Sequence, residues 1–177
     1  MKLGGKLRPT IYTVSHPGPG IVSTMAHPPG GPLLSSYIRG LRRLGADVLV
    51  SAQTDDERVE CDLADQAAVV AAGGLQFVCV PIEDRTAPLG DEVAAPLREL
   101  HTLYRGGAHV VFHCWAGIGR SSLLAAVLLG MEGVEPSAAW GLISAARGFP
   151  VPDTREQEAW LASWWETTGR GFHVEQS

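Results

Sequence analysis

No apolar run in this chain approaches the ~20 residues that a membrane-spanning helix needs. Met1 to Thr10 contains no apolar segment of the kind found in secretory leaders. There is no cluster of basic residues: 14 Lys and Arg stand against 19 Asp and Glu, a net charge of −5. Binding to nucleic acid or to an anionic membrane surface is therefore not expected. Cysteine is scarce, with three residues at no metal-ligand spacing, and an odd count argues against a disulfide framework. No metal or cofactor is implied. Internal repeats, linkers and a second compositional regime are also absent. The expectation is one domain over residues 1–177, with loose tails at about 1–8 and 169–177. A cytoplasmic location is expected, which suits a reduced thiol.

What is present is a 45% apolar chain with patterned charge, enough for a sizeable core. Short β-branched runs read as strands at Ile11–Val14, Ile21–Thr24, Val48–Ser51, Phe77–Val80 and His109–His113. Helical spacing appears between them. Leu34, Ile38, Leu41 and Leu44 share one face; Val93, Leu97, Leu100 and Tyr104 share another. Thr54 with Glu57 is a capping box. Further helices are expected at Asp62–Ala72, Ser121–Met131, Pro136–Ala146 and about Asp153–Thr168. In the last, Trp160, Leu161, Trp164 and Trp165 form a stripe read as core packing. Strands alternating with helices predict an α/β fold, a central sheet flanked by helices on both faces.

The segment His113-Cys114-Trp115-Ala116-Gly117-Ile118-Gly119-Arg120-Ser121 carries the chemistry. A buried strand leads into it and an Ala/Leu-rich helix, Leu123 to Leu129, leads out. Backbone N–H groups of such a loop converge with a helix N-terminus on an oxyanion. Trp115, Ala116, Gly117, Ile118, Gly119 and Arg120 are the candidate phosphate-binding positions. Cys114 lies at the floor as candidate nucleophile, in surroundings that favour a thiolate. Arg120 offers a planar fork that can grip two phosphate oxygens. Gly117 and Gly119 are expected to adopt positive φ and let the backbone come close to the anion. Ser121 can cap the helix or donate to the cysteine sulfur when it leaves. His113 can orient the loop. Cys61 and Cys79 read as ordinary thiols, either one a candidate partner for Cys114 in an oxidative disulfide.

These residues resemble the H-C-x-x-G-x-x-R-S signature of the cysteine-dependent protein tyrosine and dual-specificity phosphatases, matched at His113, Cys114, Gly117, Arg120 and Ser121. The resemblance extends to a P-I-x-D-x-x-x-P loop, matched by Pro81, Ile82, Asp84 and Pro88, and the stretch from Ile21 to Ala87 looks like compact bacterial members. It implies a three-layer sandwich around a mixed sheet. It implies Asp84 as general acid on a movable loop, with neighbouring Glu83 the competitor for the role. It also implies that Gln157, in a stretch similar to R-G-x-x-x-P-x-x-x-x-Q, places the hydrolytic water. Arg147 in that stretch is expected to brace the phosphate loop from behind. Asp153 with Glu156 fits a cap for the helix that follows.

The activity implied is hydrolysis of a phosphate monoester through a cysteinyl-phosphate. The expected substrate is a phosphorylated protein or peptide, phosphotyrosine first, with phosphoserine and phosphothreonine as further substrates. Inositol-lipid phosphatases of the family tend to carry lysines at the variable loop positions, whereas Trp115, Ala116 and Ile118 are uncharged. The alternatives are a phosphatase of a non-protein ester, a phosphate-binding module, and a rhodanese-like sulfurtransferase or arsenate reductase. The last two need no acid on a P-I-x-D loop.

Overall fold

The computed structural model describes residues 7–90 and 92–174. Its centre is a five-stranded sheet of β1 (Tyr12–Thr13), β2 (Ile21–Met25), β3 (Val48–Ser51), β4 (Gln76–Cys79) and β5 (His109–His113). The spatial order is β1-β2-β5-β3-β4. β1 pairs antiparallel with β2; every other pairing is parallel. β5 is therefore interior, and all five of its residues are buried. A strand covered on both faces reads as a continuous apolar run, as Val110-Val111-Phe112 does.

Alternation along the strands divides the core in two. Val48, Val50, Val110 and Phe112 face α4 (Ala94–Arg105), α5 (Arg120–Met131), α6 (Pro136–Arg147) and α7 (Arg155–Trp164). Leu49 and Val111 face α1 (Leu34–Arg43) and α3 (Gln66–Ala72). The result is the three-layer arrangement. All twelve residues of α5 are buried, which explains why it is apolar all round. The short α2 (Asp55–Glu60) starts at Thr54 with the capping box in place. Among the described residues, no helix is long and apolar enough to cross a membrane.

Two boundaries differ from expectation. The helix expected from Asp62 starts only at Gln66. Asp62 has φ +55 and terminates α2 instead: its N–H bonds to the Val59 carbonyl, and the Leu63 N–H to that of Arg58. That is a Schellman ending with aspartate where glycine is usual, so the sequence lacked its normal stop signal. The second difference is at the C-terminal tail. Helix continues past α7 through a wider π-type turn at Trp165–Gly169 into α8 (Arg170–Val174). A Cβ at Gly169 would lie 2.6 Å from the Trp165 ring, so the missing side chain lets the tryptophan seat there. Phe172 then packs on the core and edge-on to His101. Helix thus runs to 174; residues 1–6 and 175–177 of the expected loose ends lie outside the described residues.

Candidate active site

β5 ends at His113 and hands the chain to the loop 114–119, which turns into α5 at Arg120. His113 is fully buried, and burial pushes its imidazole down to about 3. It is neutral, with Nδ1–H facing the Cys114 carbonyl at 3.3 Å and Nε2 taking an N–H from Gln66 at 3.0 Å. That pair holds the start of the loop against the sheet.

Three carbonyls of the loop are tied outward. Trp115 O accepts from the His27 N–H at 3.1 Å. Ala116 O and Gly117 O accept from Arg147 at 3.3 and 3.2 Å. Across a trans peptide the C=O and the next N–H point in opposite directions. The N–H groups of Ala116, Gly117 and Ile118 therefore turn inward, toward a cavity of about 260 Å³. Arg147 is itself held by its guanidinium lying 4.1 Å over the Tyr12 ring.

The two glycines have different reasons. Gly117 has φ +71, and a Cβ there would stand 2.5 Å from the Met25 carbonyl. Gly119, expected to share that conformation, has φ −88. Its need is space, since a Cβ would come within 3.0 Å of both amide atoms of Gln157.

Cys114 is 3% exposed at the floor of the cavity, and its thiol lies 3.3 Å from Ser121 Oγ. Ser121 thus faces the sulfur and does not cap α5, whose N-cap is Gly119 without a side-chain bond. Arg120 is buried, and no pattern along the chain names a partner for it within the protein. The structure does: Nη1 and Nη2 donate to the two oxygens of Glu57 at 2.6 and 2.7 Å. Nη1 also donates to Ile82 O at 2.8 Å. Burial alone would push the Glu57 carboxyl up, but the bonds from Arg120 and Thr54 outweigh it and hold the group below its usual value. Glu57 was legible only as a helix cap. Its second role comes from a residue 63 positions away, and no local pattern signals that.

Asp84 lines the same cavity as Cys114, and its Oδ1 forms an ion pair with Arg120 Nη2 at 2.8 Å. Glu83 lines a different cavity. The adjacent carboxylates thus face opposite sides of one loop, and of the two only Asp84 lines the cavity that holds Cys114. The loop is tethered to the start of α7 by three contacts. Gln157 Nε2 donates to Thr86 O at 3.0 Å, Ala87 N to Glu156 at 3.4 Å, and Arg85 to Asp153 at 3.1 Å. Gln157 is fully buried, lines the cavity, and forms the α7 capping box with Thr154. The expected Asp153–Glu156 cap is not formed, because those two side chains are drawn to the acid loop. Trp115, 43% exposed, stands at the cavity rim with its ring 5.6 Å from His27.

Cys79 lies apart from Cys114. Ser51 pairs in register with both His113 and Cys79, so Cys79 is two strands from the strand that carries Cys114. At ~4.8 Å per strand that is about 10 Å, beyond the ~7 Å between Cα atoms that a disulfide tolerates. Burial also pushes the Cys79 thiol up despite the neighbouring Arg58. Cys61 caps the end of α2. Among the described residues, no three His, Cys, Asp or Glu side chains converge as a metal site.

A cysteine under inward-facing N–H groups, with a buried arginine and a facing carboxylate, on this three-layer sheet, defines the cysteine-dependent phosphatases of the tyrosine and dual-specificity class. Residues 35–133 match the family model described as the polymorphic toxin system DSP-PTPase phosphatase, and the chain belongs to that family. It is similar to the protein tyrosine phosphatase type IVA 3 of Bos taurus, 29% identical over 130 residues, which cover 72% of this chain and 69% of that one. Among solved structures it superposes on kinase associated phosphatase with a TM-score of 0.82 and 19% identity, covering 92% and 97% of the two chains. P. aeruginosa TpbA, determined in complex with pTyr, superposes with a TM-score of 0.60 and 22% identity, covering 93% and 90%. These likenesses bear on the fold. Family membership makes the chain a hydrolase of phosphate monoesters.

Proposed function

We propose that this protein removes phosphate from phosphotyrosine in proteins or peptides, with phosphoserine and phosphothreonine as secondary substrates, in a reducing, cytoplasmic setting. One observation carries the reading: Cys114, the Ser121 hydroxyl, the Arg120 guanidinium and the Asp84 carboxyl share one small cavity with the inward N–H groups of the loop. The aromatic rim of Trp115 and His27 supports an aryl ester.

In the reading, the Cys114 thiolate attacks phosphorus in line and a P–S bond forms as the ester P–O bond breaks. The loop N–H groups and Arg120 bind the equatorial oxygens. Asp84 gives its proton to the departing oxygen. Water beside Gln157 then attacks the cysteinyl-phosphate, gives its proton to the Asp84 carboxylate, and the P–S bond breaks. Ser121 donates to the sulfur as it leaves. Before any of this, phosphate takes the place of the Asp84 carboxylate, which stands 2.8 Å from Arg120 Nη2 as its ion-pair partner. Binding of phosphate thereby frees the carboxyl that the first step needs.

The test is phosphate release from matched phosphotyrosyl, phosphoseryl and phosphothreonyl peptides with EDTA present, for the wild type, Cys114→Ser and Asp84→Asn. The expected result is fastest release from the tyrosyl peptide and none with Cys114→Ser. Asp84→Asn should lose more on poor leaving groups than on good ones. Turnover by Cys114→Ser would refute the covalent step. Equal losses across leaving groups would remove Asp84 from the acid role.

A further inference from the structure

Behind the acid loop lies a second cavity, larger than the first at about 500 Å³. Its floor is apolar: Pro81, Ile82, Ala87 and Pro88 of the loop, with Leu89 at its edge. Leu89 is 78% exposed, the most exposed large apolar residue among those described. Four carboxylates line the same cavity, Asp55, Glu83, Glu92 and Glu156, with no Lys, Arg or His among the described lining. Asp55 is paired with Arg58, and Glu156 accepts from Ala87. Glu83 and Glu92 have no ion-pair partner among the described residues.

The groove and the catalytic cavity share the acid loop as a wall, with Glu83 on one side and Asp84 on the other. From Asp84 to Ala87 an extended chain spans at most ~11 Å. A substrate with its phosphorylated side chain over Cys114 thus brings residues about two to four positions away onto the groove. An apolar floor with unpaired carboxylates is complementary to a segment carrying a basic residue beside an apolar one.

We propose that this groove binds the chain flanking the phosphorylated residue and selects substrates with Lys or Arg, next to an apolar residue, two to four positions from it. The proposal rests on the phosphatase reading above. Opposite charge at the groove steers and holds the peptide, while the small phosphate cavity is left unaltered. An isolated phenyl ester, which cannot reach the groove, gains nothing from it.

The test compares phosphotyrosyl peptides that carry Arg-Leu or Glu-Leu at those positions, on either side of the phosphotyrosine. The proteins are the wild type, Glu92→Gln, and the double variant Glu83→Gln/Glu92→Gln. Wild type should favour the better Arg-Leu peptide over its Glu-Leu partner by about tenfold in kcat/KM, mostly through KM, as expected for two exposed ion pairs. The ratio should shrink in Glu92→Gln, approach one in the double variant, and collapse in high salt. Rates on p-nitrophenyl phosphate should stay the same in all three proteins. A ratio near one in the wild type, or one unchanged in the double variant, would overturn the proposal. Peptide affinities of Cys114→Ser, with and without the two groove substitutions, give the same comparison without turnover. Loss of p-nitrophenyl phosphate activity in the wild type would therefore count against the catalytic reading alone.

Discussion

Replacing Glu57 with glutamine keeps the size of the side chain and removes its charge. The perturbation falls on Arg120, whose side chain is 1% exposed, while that of Glu57 is 14% exposed. Stripping one partner from a buried ion pair typically costs ~3–5 kcal/mol, because the remaining charge stays desolvated. Partial access of water to Glu57, the bond that Arg120 keeps to Ile82 O and its remaining ion pair with Asp84 place the expected loss at the lower end, about 3 kcal/mol. In a domain of this size that lowers Tm by roughly 6–12 °C. The glutamine amide also turns one N–H toward the guanidinium, so the fork no longer sits square. A misplacement of about 1 Å in catalytic geometry costs on the order of 10²-fold. The assay is therefore double: thermal or urea unfolding, and kcat/KM on an aryl phosphate at a temperature where the variant is folded. The pair also has a pH signature. Its stability is present above the unfolded carboxylate value of ~4.3 and is lost as pH falls through the lowered folded value, so acid should narrow the gap between wild type and variant. A variant within about 2 °C in Tm and threefold in kcat/KM would refute the claim that Glu57 holds Arg120 in place.

Two further outcomes are expected. His113 is held at about 3 in the folded protein against ~6.5 when unfolded, so below pH ~6.5 the unfolded chain takes up a proton that the native protein refuses. This group should cost about 2 kcal/mol of stability at pH 5 relative to neutral pH. Urea unfolding at both pH values should show a steeper acid loss for the wild type than for His113→Gln; equal losses would place the effect elsewhere. Gly117→Ala should abolish phosphatase activity and vanadate binding while the protein still folds, since it forces a methyl group into the Met25 carbonyl at positive φ. Retained vanadate affinity would show that the loop adopts another path.

Much of the site was legible along the chain because its parts are local. Cys114 to Ser121 form one strand-loop-helix connection, and the spacing of cysteine, glycines and arginine is a property of that connection. Asp84 was legible with its prolines for the same reason. The structure departs from the local pattern where a tertiary partner prevails over it. Asp153 and Glu156 have cap spacing, but the acid loop takes both, and Thr154 with Gln157 caps α7. Gly119 has the composition of a tight turn, but its role is to leave room for Gln157. Asp62 has no glycine to mark the end of α2, yet adopts the left-handed conformation there.

The sequence by itself determined the alternation of strands and helices, the burial of β5 and α5, and the residues of the phosphate loop, because hydrophobic period and turn chemistry act over a few neighbouring residues. Only the tertiary structure decided that Glu57 clamps Arg120, that Asp84 rather than Glu83 lines the cavity of Cys114, and that Cys79 is out of reach. It also decided which loop carbonyls turn outward. Each of those depends on groups dozens of residues apart meeting within hydrogen-bond distance. Such meetings are set by the packing of the sheet and its two helical layers, not by any pattern along the chain.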